Sequence, residues 1–405
     1  MSKLPTKEDV IDAAEGIKGE VIRTPTVRSQ TLSQICATDI YLKFENHQFT
    51  ASFKERGAHW KLKNLSDDEH ANGVIAMSRG NHAQGVAYHA QRQGIPATIV
   101  MPVNTPTVKV AHTEKFGAQV VLEGESLAEA GAKADAIAAE EGLVRIHPYD
   151  DPHIIAGQGT LGIEMMEDVP DLDVLVVPVG GGGLISGVAL GAKHVKPDID
   201  IIGVQADMFP SMYNVFHNTA LDCGGPTIAE GIAVTDPGAL TRHIITAHVS
   251  DILLVSERHI EQAIALLLNV EKTVSEGAGA AGLAAILQYP EKFQNKKIGI
   301  VLCGGNIDSR LLASVLLREL AREGRMLTVR IESQDRPGFL GQITTAIGQA
   351  GGNIIDVSHN RLLTDLPAKS ADIGLTIETR DSSHADDIFN LLRRNGMKVR
   401  RESHF

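Results

Sequence analysis

The feature that most narrows the folds open to this chain is an alternation of short apolar runs with longer amphipathic segments. Runs at 40–45, 73–77, 97–101, 119–122, 143–147, 174–179, 201–206, 252–255 and 298–302 predict strands. Between most of them lie stretches rich in Ala, Glu, Lys and Leu, such as 126–141 and 257–272, which predict helices; a further helix is expected over 7–17. This alternation is the signature of βαβ units, so the chain is expected to be α/β, with a mostly parallel sheet covered by helices on both faces.

The pattern breaks near residues 321–325, where a charged helix end runs into Gly324. Beyond it come a strand at 327–331, a turn at Asp335-Arg336-Pro337-Gly338, a helix at 339–350 and a strand at 353–360. A loop containing Pro367 follows, then a strand at 373–379, a helix at 385–395 and a strand at 398–401. The order βαββαβ is that of a ferredoxin-like α+β module. Two domains are therefore expected, 1–322 and 327–405.

The formal net charge of −12 argues against nucleic acid or anionic membranes as partners, because both select basic surfaces. The cysteines, Cys36, Cys223 and Cys303, are too few and too scattered for a disulfide framework or a Cys-rich zinc site. Residues 1–19 mix lysines with acids and have no apolar core, unlike a secretory signal, and no apolar run reaches membrane-span length. A cytoplasmic protein is expected.

Residues 45–57 read Glu-Asn-His-Gln-Phe-Thr-Ala-Ser-Phe-Lys-Glu-Arg-Gly and join a predicted strand to an amphipathic pattern beginning near Ser52. Ser52 and Glu55 have the spacing of a capping box, with Ser52 as N-cap and Lys54 in the first turn. A helix start disfavours a cation, and Arg56 adds a second positive charge. Both effects are expected to push Lys54 toward the neutral amine that condenses with aldehydes. From this stretch alone, an ordinary surface lysine is an equal alternative.

Glycine-rich turns follow several of the predicted strands. Gly180-Gly181-Gly182-Gly183 ends the 174–179 run and opens a helix from about Leu184, so consecutive N–H groups can converge on a phosphate. The absence of a following Lys-Ser/Thr argues against nucleoside triphosphate hydrolysis. Ser78-Arg79-Gly80-Asn81-His82-Ala83-Gln84-Gly85 can present a hydroxyl, an amide and several N–H groups to a carboxylate. His82 on a first helical turn is more often a packing residue than a catalyst. Cys303-Gly304-Gly305-Asn306 suggests close approach by another group, and in the 276–282 segment Glu276 is the only charge.

Taken together, Ser52-Phe53-Lys54-Glu55-Arg56-Gly57-Ala58, the Ser78–Gly85 loop and the Gly180–Leu184 loop resemble the fold-type II pyridoxal phosphate enzymes, specifically the threonine/serine dehydratase group. That resemblance implies a two-lobed, tryptophan synthase β-like parallel architecture, with a small lobe of roughly 45–150 inserted in the large one. It implies that Lys54 holds the cofactor and then takes the substrate α-proton. Phe53 would lie beside the ring, and Asn81 would bond its phenolic oxygen. Gly180, Gly181, Gly182, Gly183 and Leu184 would bind the phosphate. Ser78, Asn81, His82 and Ala83 would bind the substrate carboxylate. Cys303 would be a neutral partner of the pyridine nitrogen, and Glu276 would stand near the ring. The reaction implied is β-elimination from L-threonine to 2-oxobutanoate and ammonia, with L-serine going to pyruvate. Serine racemase and 3-hydroxyaspartate dehydratase share these motifs, Ser78 being the acid/base that racemisation would need; a non-catalytic amino-acid sensor is the remaining alternative. Related enzymes bind a cation near the large-domain loops, for which no ligands can be matched here.

The last 80 or so residues resemble an ACT domain. The resemblance implies regulation by an amino acid, isoleucine or valine, bound at an interface between such modules. Pro337, Gly338, Phe339, Leu340 and Asn353 are the expected contacts, and a homo-oligomer is the expected state. Use of the module for assembly alone is the competing reading.

Overall fold

Strands form where the apolar runs stand, within a residue or two of the expected bounds, in a computed structural model that describes residues 3–360 and 370–402. Contacts divide the chain into two units, Met1–Ile307 and Asp308–Phe405. The first holds β1 (Thr26–Ser29), β2 (Asp39–Lys43), β3 (Val74–Met77), β4 (Ala97–Met101) and β5 (Gln119–Leu122). It continues with β6 (Val144–Arg145), β7 (Val174–Pro178), β8 (Asp200–Ala206), β9 (Asp251–Val255) and β10 (Lys297–Val301).

These strands make two sheets rather than one. A six-stranded sheet runs β1-β2-β10-β7-β8-β9, and a four-stranded sheet runs β5-β4-β3-β6. Every pairing is parallel except β1 with β2. Each position of β7 is buried, which is why its sequence shows no polar interruption. The sequence reading omits β1, for a physical reason: it is a short edge strand with Val27 half exposed, so it carries no apolar signal.

The helix Gly183–Val195, which follows β7, lies directly on the helix Pro152–Asp168. A Cβ on Gly191 would stand 2.1 Å from the Gly159 carbonyl oxygen, and one on Gly187 would stand 2.3 Å from that of Ile155. Only glycine permits this approach, so the start of the helix after β7 is held by backbone-to-backbone packing. The smaller sheet has its own core, in which Ala83, Val86, Ala87 and Ala90 of the helix Asn81–Gln93 meet Ala76, Ile99 and Met101. Burying each large aliphatic side chain there stabilises the fold by roughly 1.5–3 kcal/mol.

In the second unit, β11 (Met326–Gln334), β12 (Asn353–Asn360), β13 (Ser370–Glu378) and β14 (Lys398–Arg401) form an antiparallel sheet of order β12-β13-β11-β14. The helices Phe339–Gln349 and Ser382–Arg394 cover it through Ile343, Ile347, Ile388 and Leu392. The helix Ser309–Arg322 also falls in this unit. The loop expected around Pro367 lies outside the described residues. β12 is an edge strand with Ile355 57% and Val357 41% exposed. Among the described residues no helix is long and apolar enough to cross a membrane.

Candidate active site

The register of β10 on β2, which pairs Ile300 with Leu42 and Val301 with Lys43, makes the segments leaving these strands run side by side. Asn46 N–H donates to the Leu302 carbonyl (3.0 Å), Phe53 N–H to that of Cys303 (3.1 Å) and Gly305 N–H to that of Ala51 (2.9 Å). Two turns more than 250 residues apart in sequence are thereby fixed against each other, with Lys54 at the junction.

Lys54 lies in the first turn of the helix Lys54–Lys63, as the motif predicts, but the helix starts one residue later than expected and the capping box is absent. Phe53 occupies the N-cap position with αR geometry, and no side chain caps the helix. The Ser52 hydroxyl is buried without a partner, and the Glu55 carboxylate turns back to accept the Thr50 N–H instead. The reason is the conformation just before it: Ala51 is left-handed at φ 55°, which brings the loop back over Glu55.

The Lys54 amine donates to the Pro148 carbonyl at 2.6 Å and stands 5.1 Å from the centre of the Phe53 ring. Burial lowers its pKa to about 8, against the opposing pull of Cys303 and Glu276. Arg56 is not the cause, which corrects the expectation from sequence. Its fully buried guanidinium is spent on Glu45 (2.8 and 2.7 Å) and Glu164 (2.6 and 2.9 Å). Lys43, also fully buried, bonds Glu164 at 2.7 Å, so the charges compensate within the network. Burial works most strongly, to raise Glu45, but the Arg56 charge and hydrogen bonds, with Lys43 and Thr24, together outweigh it and hold that carboxyl below its ordinary range.

β7 lies next to β10, so the glycine run leaves the sheet beside these turns. Three of the four glycines are required by their neighbours, and Gly180 is tightly packed: a Cβ on Gly181 would stand 2.4 Å from the Tyr149 ring and one on Gly183 2.8 Å from the Tyr149 carbonyl oxygen. Gly182, at φ 96°, would meet Thr241 at 2.8 Å, and Gly180 would meet Ile232 at 3.2 Å. The N–H groups of Gly180, Gly181, Gly182, Gly183 and Leu184 find no acceptor among the described residues. That is the donor array an anion requires.

The helix Asn81–Gln93 starts just after β3 and carries Asn81, His82 and Ala83 in its first turn; Ser78 Oγ accepts the Gly80 N–H at 3.2 Å. Asn81 crosses to the turns around β10, with Nδ2 donating to Glu276 (2.7 Å) and Oδ1 accepting from Asn306 (2.8 Å). Asn306 also donates to the Thr50 carbonyl at 2.8 Å. Burial, against the Asn81 hydrogen bond, raises Glu276 to about 7. Burial, followed by Glu276, pushes the Cys303 thiol well above its usual value, so it is a neutral group. His82 is buried with Nε2 3.0 Å from the Ile146 carbonyl, and burial with the Lys54 charge lowers it to about 3. It is a neutral packing residue.

Sequence reasoning assigned no role to Asn306, Pro148, Tyr149 or Thr241. The Gly304-Gly305-Asn306 turn offered a signal for the first; nothing local marks the others. In the second unit, Pro337, Gly338, Phe339 and Leu340 line one cavity of about 120 Å³ with His359 and Ile373. Asn353 is not part of it, and its amide donates to Glu378 at 3.0 Å. Among the described residues no cluster of three or more His, Cys, Asp or Glu is arranged to hold a metal ion.

Residues 17–304 match the family model for pyridoxal-phosphate dependent enzymes. The chain belongs to that family. This pyridoxal-phosphate dependent enzyme also matches the ACT domain model over residues 327–396. It is 44% identical to the L-threonine ammonia-lyase of Thermotoga maritima over 397 residues, 98% of this chain and 99% of that protein. Among solved structures it is similar to the processed threonine deaminase isoform 2 of Solanum lycopersicum. The TM-score is 0.73 at 35% identity, covering 76% of this chain and 91% of that one. It is also similar to the serine racemase of Dictyostelium discoideum, with a TM-score of 0.71 at 33% identity over 75% and 99% of the two chains. Its cofactor is pyridoxal 5′-phosphate, and the site fits that molecule: an amine of lowered pKa for an aldehyde, free N–H groups for a phosphate and a neutral thiol close by.

Proposed function

We propose that this enzyme dehydrates and deaminates L-threonine to 2-oxobutanoate and ammonia, and converts L-serine to pyruvate as a second reaction. The observation that carries the reading is a convergence. Lys54, with its amine lowered to about 8, and the unpaired N–H groups of Gly180 to Leu184 follow the same ends of β2 and β7, two parallel strands with β10 between them. Threonine as substrate is supported by a relative matched through both units, the L-threonine ammonia-lyase of Thermotoga maritima.

Pyridoxal 5′-phosphate, when bound, supplies the electron sink that makes an amino-acid α-proton removable. Lys54 would hold its aldehyde end, and its amine, with a pKa near working pH, is suited to take a proton on Nζ. Gly180, Gly181, Gly182, Gly183 and Leu184 would hold the phosphate, and Phe53 would flank the ring. The Asn81 amide, its orientation set by Glu276 and Asn306, would bond the phenolic oxygen. Cys303, as a neutral thiol, would stand toward the pyridine nitrogen without fixing a positive charge there, which would favour elimination over transamination. Ser78, Asn81, His82 and Ala83 receive the substrate carboxylate at the start of their helix, where the dipole and free N–H groups favour an anion. His82 contributes backbone rather than an ionising ring.

Reduction with borohydride followed by peptide mass mapping tests the cofactor assignment: the added mass is expected on Lys54. Lys54→Ala protein should be colourless and inactive, and attachment at any other lysine would overturn the reading. Comparison of kcat/KM for threonine and serine tests the substrate. Racemisation is the second reading, favoured by the placement of the Ser78 hydroxyl at the helix start and by the likeness to serine racemase. D-serine formation faster than 2-oxobutanoate formation would establish it.

The ACT unit is proposed to bind isoleucine or valine in the Pro337–Leu340 cavity and to change the rate, which makes effector titration of the initial velocity its test. Pairing of such units through the β12 edge, with Ile355 and Val357 exposed, supports a homo-oligomer. The free cysteines support a reducing, cytoplasmic setting.

A further inference from the structure

Backbone N–H groups bind an anion only if their peptides are turned toward it, and the device that turns one of them lies outside the glycine run. The Gly181 carbonyl oxygen accepts from the Thr241 hydroxyl at 2.7 Å and from the Gly238 N–H at 3.2 Å. The same hydroxyl lies farther, 3.1 Å, from the Gly238 carbonyl. In a trans peptide the carbonyl and the following N–H point in opposite directions, and no described peptide is cis. Tying the Gly181 carbonyl to Thr241 therefore aims the Gly182 N–H the other way, where it meets no acceptor among the described residues.

Thr241 is itself held. It is buried in the first turn of the helix Ala239–His248, where the Asp150 carboxylate accepts the N–H groups of Ala239 (2.9 Å), Leu240 (2.9 Å) and Thr241 (3.2 Å). The fit leaves no slack: a Cβ on Gly238 would stand 2.2 Å from Asp150 Oδ1, and one on Gly182 2.8 Å from Thr241 Cβ.

We propose that Thr241 is a positioning residue for the cofactor phosphate, orienting the Gly182 N–H through the Gly181 carbonyl while Asp150 fixes the helix that carries it. The inference rests on the glycine run being the phosphate site. Valine matches threonine in shape but lacks the hydroxyl, so Thr241→Val removes the tether and leaves the packing; Thr241→Ser keeps the tether.

Equilibrium dialysis of the full apo chain against pyridoxal 5′-phosphate and against pyridoxal, which has no phosphate, tests it. Thr241→Val is expected to bind pyridoxal 5′-phosphate about tenfold more weakly than wild type, the scale of one buried hydrogen bond. Thr241→Ser should stay within about twofold, and pyridoxal affinity should be the same in all three. Should Thr241→Val not fold, as judged by circular dichroism, Thr241→Ala takes its place with the same expectations. An equal loss for both ligands, or no loss for pyridoxal 5′-phosphate, would overturn the proposal. Wild-type protein that binds both ligands equally well would instead overturn the phosphate reading of the glycine run, and the proposal with it.

Discussion

Replacing Arg56 by methionine removes the centre of the buried charge network while nearly keeping the side-chain length. Arg56 and Lys43 carry the positive charges there, and Glu45 and Glu164 the negative ones. Without Arg56, Lys43 alone faces Glu45 and Glu164, beside Asp168 at 3.7 Å, which also pairs with Arg23, and among the described residues Glu45, with no exposed side-chain surface, keeps only Thr24 and Gln48 as side-chain hydrogen-bond partners. Breaking a buried pair on one side costs about 3–5 kcal/mol, most of it the stranded charge. Adding Glu45→Gln restores neutrality, leaving Lys43 opposite Glu164, so the double variant should recover about 1–2 kcal/mol relative to Arg56→Met. The assay is urea unfolding followed by fluorescence of Trp60, the only tryptophan, which lies on the helix Lys54–Lys63 and so reports the unit concerned. Stability within about 1 kcal/mol of wild type for Arg56→Met, or a double variant less stable than the single one, would refute the reasoning.

Further outcomes follow from the same structure. The rate at which apoenzyme captures pyridoxal 5′-phosphate should rise with pH and level off near 8, because Lys54 is lowered to about 8; a rise continuing toward 10.5 would mean an ordinary lysine. Ala51→Gly should stabilise the chain by about 0.5–1 kcal/mol in the same urea assay, since alanine there sits at φ 55°; a loss would show that the left-handed backbone is not costly. His82 is neutral in the folded chain down to about pH 3 but protonates near 6.5 when unfolded, so its contribution is complete above 6.5 and lost as pH falls below it. Wild type should lose about 2 kcal/mol from this residue between pH 7 and 5, and His82→Gln should lack that part of the acid slope.

Much of the fold was legible because strands buried on both faces leave uninterrupted apolar runs. β4 takes the bounds read from sequence and the fully buried β7 differs by one residue, while the partly exposed edge strands β5, β12 and β14 also take theirs. β1 was not legible, since its four residues, Thr26 to Ser29, include only one apolar side chain and so make no run. The order βαββαβ was equally plain, because each element of the second unit carries its own pattern. At the site, local motifs located Lys54, the glycine run and the Asn81 loop. They misjudged Ser52, whose hydroxyl has no partner among the described residues, and Glu55 and Arg56, whose partners come from loop geometry or from the distant residue Glu164.

The sequence by itself determined which chemistry-bearing groups exist and which lie at strand-to-helix turns, since both follow from residue type and local periodicity. Only the tertiary structure decided which turns meet, because the parallel order β2-β10-β7 joins segments far apart in the chain. It also decided why Lys54 loses its proton easily. Desolvation depends on what surrounds an amine in space, and the neighbouring cation that suggested the effect in sequence is neutralised by Glu45 and Glu164.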